Sequence, residues 1–482
     1  MFFPTHGSKR ARRHCIAAAV CVVVLAAGAA PAGPTALQAR IAALVRAYER
    51  EHGTIAGVSA VDLRTARPLV AIRDGEPRTP ASNQKLLTSA FALERLGGNF
   101  KFTTVVYRWS GGLLVVGDGD PTLGDPVIAE AAGMSIYAEL DAWAADVKKK
   151  LGKEIAGDLL VCGSADASVY RHRDWPTGQH HRWYAAPVAP LNFHDNCFDV
   201  TFRRVGKTIA AEVAPVSRLV RIKSAVRSGR KHLCSVQIRD GDSVVSLRGT
   251  VRPGSAVISA AVNDPPLLLG RVFTDRLARA GVTLGGRVRR IRRAEVDLAA
   301  ATPLTGTTTA LSLALARANK RSLNLAAECI FLRAGDGTWK GSANIETQVL
   351  IRHFGLAAKS FVVADGSGLS RHNRVAPAGV TAVLAAMLRH KNASIFLASL
   401  PASGVDGSMR SRLSGRRYRN RVLAKTGSIA GSSCLSGYVL GGDGKPAIAF
   451  SVLVNDVPAG YAWTAKQLQD SICRLLVETS SQ

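Results

Sequence analysis

Three short polar motifs lie far apart in this chain, and their spacing limits the architectures that the chain can adopt. They are Ser-x-x-Lys at residues 82–85, Ser-x-Asn at residues 322–324 and Lys-Thr-Gly at residues 425–427. The serines Ser82 and Ser322 are 240 positions apart, and Ser322 precedes Lys425 by 103 positions. One compact enzyme domain does not need 240 residues between two parts of a site. We therefore expect additional domains to be inserted between the first two motifs.

The two ends of the chain have the pattern of a single α/β domain. Apolar residues recur with helical spacing in residues 35–51 and 463–477, and residues 55–62 and 68–72 have the pattern of a strand pair. The middle of the chain, at about residues 102–296, contains many short strand-like runs separated by Gly, Pro and Asp turns. This predicts one or two β-rich inserts between the halves of the terminal domain.

The first segment has the composition of a secretory signal peptide. Residues 1–14 contain basic but no acidic residues, and residues 15–30 form an unbroken apolar run. This run is short for a membrane span and has the length of a signal-peptide core. We predict that residues 1–32 direct export to the periplasm or another extracytoplasmic part of the cell envelope. An uncleaved N-terminal anchor is the alternative.

Six cysteines follow that segment, at positions 162, 197, 234, 329, 434 and 473. No pair has the Cys-x-x-Cys spacing of zinc ligands, so no metal site is predicted from them. An exported protein can form disulfides, and Cys197 with Cys234 is the first candidate pair because both lie in the same middle region of the chain. Buried free thiols are the alternative for Cys329, Cys434 and Cys473.

The unusual property of the composition is its positive charge. The chain has 63 Lys and Arg residues but 35 Asp and Glu residues, which gives a net charge of +28. An apolar content of 47% excludes a disordered tail protein, and its distribution excludes a polytopic membrane protein. Basic runs at residues 218–231, 287–293 and 416–421 predict either electrostatic attachment to anionic envelope polymers or a generally basic surface. Nucleic acid is not an expected partner of an exported protein whose basic runs lack regularly interleaved aromatic residues.

The Ser-x-x-Lys motif can place a base beside a nucleophile. Residues three positions apart share one face of a helix, so the Lys85 amine can reach the Ser82 hydroxyl. A lysine that is held out of water and near other cations has a lowered pKa and can accept the serine proton. The motif alone is also compatible with an N-cap Ser82 and an exposed Lys85.

The other two motifs offer groups for the same chemistry. Lys-Thr-Gly on an edge strand presents a cation, a hydroxyl and an exposed backbone, and Gly427 allows a substrate to approach the strand closely. A surface turn is the alternative for this motif taken alone. The Ser322 hydroxyl could relay a proton and the Asn324 amide could hold a substrate carbonyl. A helix N-cap explains Ser322 equally well. The order of the three motifs is typical of penicillin-binding proteins and β-lactamases.

Several further segments resemble the class C low-molecular-mass penicillin-binding proteins, the D-alanyl-D-alanine carboxypeptidase/endopeptidase family. Residues 80–85 resemble its Pro-Ala-Ser-Asn-x-Lys, residues 117–123 its Gly-rich Asp-Pro-Thr-Leu segment, and residues 365–371 its Asp-Gly-Ser-Gly-Leu-Ser-Arg loop. Residues 400–407 and 424–428 resemble the approach to its Lys-Thr-Gly. The similarity covers most of the chain after residue 32.

The resemblance implies an α/β (α+β) fold, in which a serine β-lactamase/transpeptidase-like domain with a central antiparallel sheet flanked by helices is split by two inserted β-rich domains. Together with the spacing, it predicts the following division: a signal peptide at 1–32, the catalytic domain at 33–103 and 296–482, one inserted β-rich domain at 104–130 and 205–295, and a second inserted domain at 131–204.

The resemblance also implies an acyl-enzyme reaction on D-Ala-D-Ala stem peptides of peptidoglycan. Ser82 is implied to be the acylated nucleophile and Lys85 its base. Ser322 is implied to relay a proton to the leaving amine, and Asn324 to hold Lys85 and the substrate amide. β-Lactams are implied to acylate Ser82 and inhibit the enzyme, and the reaction requires no cofactor or metal.

The remaining implied roles concern the Lys-Thr-Gly strand. Lys425 and Thr426 are implied to bind the terminal carboxylate of the substrate, beside Gly427. The backbone N–H groups of Ser82 and Ser428 are implied to form the oxyanion hole.

Two other functions are compatible with the same scaffold. One is a serine esterase or β-lactamase-like hydrolase, which would need a separate deacylating base that no motif indicates. The other is a non-catalytic protein that binds the cell envelope; the intact Ser82, Lys85, Asn324 and Lys425 argue against it. Residues 180–182, His-His-Arg, stand where relatives often carry acidic residues linked to the stem-peptide amine.

Overall fold

The computed structural model describes residues 35–164, 167–206, 208–231, 233–239, 242–252, 254 and 257–480. The predicted signal peptide at residues 1–32 lies outside the described residues. In the part of the chain that the structure describes, every helix is too short or too polar to cross a membrane.

Helices and strands are interspersed along the described part of the chain. The helices are α1 (Ala36–His52), α2 (Gln84–Arg95), α3 (Pro126–Ala132), α4 (Ala138–Leu151), α5 (Pro265–Arg279), α6 (Leu311–Lys320), α7 (Asn324–Ala334), α8 (Trp339–Phe354), α9 (Pro377–Arg389), α10 (Ala393–Ser399) and α11 (Ala462–Thr479). The strands are β1 (Ile55–Asp62), β2 (Pro68–Ile72), β3 (Lys101–Trp109), β4 (Gly112–Gly117), β5 (Glu154–Ile155), β6 (Leu159–Gly163), β7 (Cys197–Val205), β8 (Thr208–Ala214), β9 (Arg221–Ser228), β10 (Leu233–Arg239), β11 (Val244–Val251), β12 (Ile258–Ala261), β13 (Thr283–Leu284), β14 (Val288–Arg292), β15 (Thr302–Ala310), β16 (Phe361–Val362), β17 (Arg374–Val375), β18 (Val422–Ile429), β19 (Gly431–Leu440) and β20 (Pro446–Val457).

Both ends of the chain build one antiparallel sheet in the order β18-β19-β20-β1-β2. β19 and β20 at its centre are buried along most of their length, because helices cover both faces of the sheet. α1 and α11 pack on one face against Val452 and Val454, and α2 and α9 pack on the other face with Leu453 and Tyr438. This helix-flanked central sheet confirms the predicted fold of the terminal domain.

The middle of the chain forms further sheets around a separate core. The largest has the order β14-β6-β4-β3-β15, and α4 and α5 cover it through Trp143 and Phe273, whose ring centroids are 5.7 Å apart. The sheets β12-β7-β8 and β10-β11-β9 contribute side chains to the same core. The β-rich middle of the chain is therefore confirmed.

The division of the middle into two inserted domains stays a prediction. β6, which the predicted boundaries assign to the second insert, pairs in parallel with β4, which they assign to the first. Two parallel strands need a long crossover connection, and α3 and α4 lie in the segment between β4 and β6. The two segments thus share one sheet.

The predicted Cys197–Cys234 disulfide is wrong, because all six cysteines that the structure describes are free. Cys197 begins β7 and Cys234 lies on β10, and these strands belong to different sheets. Cys329, Cys434 and Cys473 are buried thiols, which was the alternative for them. Burial raises the pKa of each of these three thiols, so they remain protonated and inert at neutral pH.

Candidate active site

Ser82 lies on a one-turn 3-10 helix, Ala81–Asn83, directly before α2. Ala81 has a φ of 48°, a left-handed conformation that turns the chain sharply before the half-buried Ser82. Asn83 fixes this nucleophile turn to the central sheet: its side-chain amide donates to the Lys425 carbonyl at 2.9 Å, and its Oδ1 accepts from Ser436 Oγ at 2.6 Å. The turn is thereby held against the strand that carries Lys-Thr-Gly.

Lys85 is fully buried one helical turn after Ser82, so the alternative of an exposed lysine is wrong. Its Nζ lies 3.0 Å from Ser82 Oγ, 2.7 Å from Asn324 Oδ1 and 2.7 Å from the Ser367 carbonyl oxygen. Burial lowers the pKa of Lys85 to about 7, although the carboxylates of Glu328 and Asp365 oppose the shift. A substantial fraction of the amine is therefore neutral at neutral pH.

The three partners of Lys85 determine how its neutral form is oriented. A neutral amine has two N–H groups and one lone pair. The Asn324 and Ser367 oxygens can only accept hydrogen bonds, so they take both N–H groups. The lone pair then faces the Ser82 hydroxyl, which is the arrangement that a general base requires.

Glu328 belongs to none of the three motifs but lies close beneath this site on α7. It follows Asn324 by one helical turn, so both side chains project from the same side of the helix. Its fully buried carboxylate accepts the backbone N–H groups of Gly366 at 2.9 Å and Ser367 at 2.7 Å. Burial, reinforced by the Asp365 carboxylate, raises the pKa of Glu328 to about 8. Glu328 thus positions the backbone segment whose carbonyl binds Lys85.

The loop at residues 365–371, identified through the family resemblance, supports the site from behind. Asp365 accepts the N–H groups of Gly368 at 2.8 Å and Ser370 at 2.6 Å, and the indole N–H of Trp175 at 2.9 Å. A Cβ on Gly368 would lie 1.9 Å from the Ala81 carbonyl oxygen. Only glycine therefore lets this loop pass beside the nucleophile turn.

Replacing Glu328 by glutamine is expected to lower the rate of penicillin acylation by roughly tenfold at neutral pH. Because the pKa of Glu328 is raised to about 8, this side chain is largely uncharged at neutral pH, and glutamine does not change its charge there. Glutamine has one acceptor oxygen for the two backbone N–H groups of Gly366 and Ser367, so one of them loses its partner and the Ser367 carbonyl is no longer held against Lys85. The measurement is the second-order rate constant of labelling by a fluorescent penicillin at neutral pH.

The matched control for this variant is Glu346→Gln. Glu346 is an equally buried carboxylate on α8, but it accepts a hydrogen bond from Gln84 at 3.0 Å instead of holding the loop behind Lys85. The Glu346→Gln variant should be labelled at close to the native rate, because the hydrogen bonds from Gly366 and Ser367 to Glu328 remain. Labelling of a folded Glu328→Gln protein at the native rate would contradict the role given to Glu328.

Ser322 and Lys425 form the second half of the site. The Ser322 Oγ accepts a hydrogen bond from Lys425 Nζ at 2.8 Å. Lys425 is fully buried, and burial together with the nearby Lys85 lowers its pKa well below the ordinary lysine range. α7 begins at Asn324 with Leu323 at its N-cap position, so the N-cap alternative for Ser322 is wrong. Ser322 and Lys425 together can move a proton along one short hydrogen bond.

Asn324 joins the catalytic domain to the inserted segment before β7. Its Oδ1 holds Lys85, and its Nδ2 donates to the Tyr184 carbonyl at 2.7 Å. The second N–H of the Asn324 side-chain amide is not used in that hydrogen bond, so it can donate to a substrate carbonyl. The predicted dual role of Asn324 is thus compatible with its geometry.

β18 is an edge strand whose free side faces the cleft. The Ala424 N–H donates to the Pro401 carbonyl at 3.0 Å, on the side away from β19. Because the direction of backbone groups alternates along a strand, the N–H groups of Thr426 and Ser428 point to that same side. Ser428 is exposed and lines the cleft. Its N–H is therefore in a position to serve an oxyanion hole with that of Ser82.

The glycine of Lys-Thr-Gly meets a packing requirement as well. A Cβ on Gly427 would lie 2.8 Å from the Pro80 carbonyl oxygen, so glycine lets β18 lie directly against the nucleophile turn. The Thr426 hydroxyl bonds to Ser408 Oγ at 2.8 Å, which orients it along the strand edge. Close substrate approach at Gly427 stays a prediction.

A cleft of about 750 Å³ opens above these groups. Ser82, Ser322, Asn324 and Ser428 line it, whereas Lys85 and Lys425 lie buried beneath its floor. The lining on the insert side comes from Asp174, Pro176, Gln179, Trp183 and Tyr184. The stretch at residues 180–182 contributes none of the lining residues that the structure describes, although its neighbours on both sides do. In the described part of the chain, no group of three His, Cys, Asp or Glu side chains is arranged to hold a metal ion.

A family model and several related proteins match this chain along most of its length. The family model described as "D-Ala-D-Ala carboxypeptidase 3 (S13) family" matches residues 37–476. A D-alanyl-D-alanine carboxypeptidase of Actinomadura sp. (strain R39) is 32% identical, and the alignment covers 88% of this chain and 82% of that protein. The D-alanyl-D-alanine carboxypeptidase DacB of Haemophilus influenzae is 26% identical, with 79% of this chain and 81% of that protein covered.

Structural comparison gives the same fold. The crystal structure of penicillin binding protein 4 (dacB) from Haemophilus influenzae matches with a TM-score of 0.73 at 23% identity, covering 91% of this chain and 99% of that chain. A structure of the same protein complexed with a novel β-lactam matches with a TM-score of 0.70 at 22% identity, again covering 91% and 99%. These likenesses confirm the predicted fold class.

Proposed function

Because the chain belongs to the D-Ala-D-Ala carboxypeptidase 3 (S13) family, we propose that Ser82 is the nucleophile with which this serine hydrolase cleaves D-Ala-D-Ala stem peptides of peptidoglycan. Family membership confirms the predicted low-mass penicillin-binding protein and serine-type carboxypeptidase. One observation carries the assignment of the site: the buried Lys85 Nζ is 3.0 Å from Ser82 Oγ, with two acceptor oxygens directing its lone pair to that hydroxyl.

Acylation begins when Ser82 Oγ attacks the carbonyl carbon of the penultimate D-Ala. Lys85 takes the hydroxyl proton as the new C–O bond forms. The negative charge that develops on the carbonyl oxygen is stabilised by the N–H groups of Ser82 and Ser428. The terminal carboxylate of the substrate lies along the edge of β18 at Thr426. Lys425 lies buried behind that edge, and the arriving carboxylate favours its protonated form.

Release of D-Ala requires a proton on its amine nitrogen. The proton taken from Ser82 returns to that nitrogen through the Ser322 hydroxyl, which Lys425 holds at 2.8 Å. The C–N bond breaks, D-Ala leaves, and Lys85 is neutral again. Water then attacks the ester carbon while Lys85 accepts its proton and passes it to Ser82 Oγ as the C–O bond to the serine breaks. A β-lactam acylates Ser82 by the first of these steps and blocks the site.

The same site is proposed to open peptide cross-links. A cross-link between stem peptides is also an amide of a D-Ala carbonyl, and the open cleft can present it to Ser82. The balance between trimming and cross-link cleavage is then decided by the cleft wall, which the insert builds with Trp183 and Tyr184. We also propose export, directed by residues 1–32, and electrostatic attachment of the exported enzyme to anionic envelope polymers.

The direct test is release of D-Ala by the purified chain without residues 1–32. The substrates are a stem pentapeptide ending in D-Ala-D-Ala and a cross-linked dimer of stem peptides. We expect release from the pentapeptide and none from a matched peptide that ends in L-Ala. Absence of both D-Ala release and penicillin labelling, in folded protein, would contradict the proposal and favour the non-catalytic envelope-binding function. Hydrolysis of simple esters without D-Ala release would favour the esterase.

A further inference from the structure

The small sheet β10-β11-β9 in the middle of the chain has one packed face and one open face. Val245 and Leu247 of β11 are buried in the core of the insert, and Val236 and Ile238 of β10 pack against that core. Because side chains alternate along a strand, the residues between these form the opposite face of the sheet. The described residues of that opposite face are exposed or half-buried.

The open face carries five exposed basic side chains, which we call the basic sheet face: Arg221, Lys223 and Arg227 of β9, Arg239 of β10, and Arg248 of β11. The strand register places them in four successive rows across the sheet. The first row contains two of the cations, Arg239 and Arg221, on either side of Val244, and each of the other rows contains one. Successive rows on one face are about 7 Å apart.

Acidic residues are absent from this face in the described part of the sheet. Among the described residues, none of the five cations has an acidic partner within ion-pair distance, and Arg239 instead donates to Gln237 at 2.7 Å on the same strand. The positive charge is therefore available to a ligand.

The basic run at residues 287–293 is different, because the fold neutralises much of it. Its ion pairs join Arg289 to Asp158, Arg290 to Asp264, and Arg292 to Glu295. In the run at residues 416–421, Arg421 donates to the Leu440 carbonyl at 2.9 Å and so supports the chain's own backbone. Of the three basic runs in the sequence, the one that forms β9 thus combines exposure, regular spacing and uncompensated charge.

We propose that the basic sheet face binds a phosphodiester-linked polymer attached to the peptidoglycan. This inference rests on the proposed function, in which the enzyme acts on peptidoglycan. Four of the five cations are arginines, whose planar guanidinium groups bind phosphate oxygens in pairs. A flexible polymer with one negative charge in each repeat can meet a cation in each successive row. The face has no aromatic side chain among its described residues, whereas proteins that bind single-stranded nucleic acids commonly stack the bases on such side chains.

Binding at this face would hold the enzyme on its insoluble substrate without occupying the cleft. None of the five cations is among the described residues that line the cleft. Attachment raises the local concentration of stem peptides at the active site, because binding at one of two linked sites brings the ligand of the other site close. Loss of the face should therefore lower activity on cell-wall sacculi and leave activity on a soluble pentapeptide unchanged.

The test compares a triple variant with a control of the same net charge. The variant Arg221→Thr, Lys223→Thr, Arg227→Thr removes three cations with residues that favour strands. The control Arg40→Gln, Arg46→Gln, Arg50→Gln removes three exposed cations from α1 with residues that favour helices. Binding is measured by sedimentation with sacculi that carry a phosphodiester polymer, and with the same sacculi after mild hydrofluoric acid has removed it.

We expect the variant to bind intact sacculi at least about tenfold more weakly, with a shallower dependence on salt concentration. The control should bind within about twofold of the native chain, and native binding to stripped sacculi should be as weak as that of the variant. Equal losses in variant and control, undiminished binding to stripped sacculi, or preferential binding of DNA at this face would each overturn the proposal. Unchanged D-Ala release from the soluble pentapeptide in all three proteins separates a failure of this proposal from a failure of the proposed function.

Discussion

Ser82→Ala is expected to abolish covalent labelling by penicillin and to lower D-Ala release by at least about 10⁴-fold. The variant retains Lys85, Ser322 and the N–H groups proposed for the oxyanion hole, but it has no oxygen with which to form the acyl-enzyme. Any residual turnover must come from direct attack by water on a bound substrate. The two rates are measured by single-turnover labelling with a fluorescent penicillin and by a coupled assay for free D-Ala.

The loss in this variant should not arise from unfolding. The Ser82 side chain is half-buried and makes one hydrogen bond to Lys85, so its removal changes the free energy of unfolding by about 1 kcal/mol. Ser89→Ala is a matched control on α2, the helix that directly follows the turn carrying Ser82. It removes a buried hydroxyl that donates to the Lys85 carbonyl at 2.6 Å, and it should still be labelled. Labelling of folded Ser82→Ala at the native rate would show that another residue is the nucleophile.

Lys85→Met is expected to lower the rate of penicillin acylation by roughly 10³-fold at neutral pH. Methionine fills nearly the same buried volume but cannot accept the Ser82 proton or hold Asn324 Oδ1. The acidic limb of the pH–rate profile near pH 7, where native activity falls as Lys85 becomes protonated, should also disappear from the residual rate. The sign follows from the lowered pKa: the neutral, reactive form of Lys85 predominates above about pH 7 and is lost below it.

Lys85→Arg distinguishes the base from a fixed positive charge. Arginine keeps the charge beside Ser82 but is not deprotonated in proteins, so it cannot act as the base. We expect the arginine variant to lose acylation to a similar extent as the methionine variant. If Lys85→Arg retained more than a tenth of the native rate, Lys85 would act through its charge and not by accepting a proton. Thermal unfolding of both variants checks that the buried site tolerates the change.

The contact between Ser82 and Lys85 was predictable because it is local. Three residues span one helical turn, so the sequence alone places both groups on one face. The 3.0 Å contact agrees with that expectation. The contact between Ser322 and Lys425 joins positions 103 apart, and no local rule relates them. The order of the motifs and the family resemblance, together, indicated that these groups meet.

Glu328 shows what motif-based reasoning did not find. A signal was present, because Glu328 follows Asn324 by four positions in an apolar helix, and a buried acid there needs partners. Those partners are backbone N–H groups of Gly366 and Ser367, which have no sequence signature of their own. The loop at residues 365–371 was recognised through the resemblance, but its function as the support of Lys85 depends on tertiary packing.

The cysteines and the pairing of β4 with β6 show that contacts between distant parts of the chain were not predictable from the sequence. Cys197 and Cys234 were paired because they lie in the same region of the chain, yet the fold places them on different sheets. The pairing of β4 with β6 likewise joins segments on either side of two helices. Proximity in sequence predicts neither of these arrangements, since non-local strand pairing is decided by the packing of the whole insert. The division into domains stays a prediction for the same reason.

Every step of the proposed reaction depends on the acylation of one serine, Ser82. The most direct measurement is peptide mapping by mass spectrometry after the native chain has reacted with benzylpenicillin. We predict a single penicilloyl adduct, one per chain, on the peptide that contains Ser82, with fragmentation placing the added mass on that residue. An adduct on Ser322 or on any other side chain, or folded protein that acquires no adduct, would show that Ser82 is not the nucleophile.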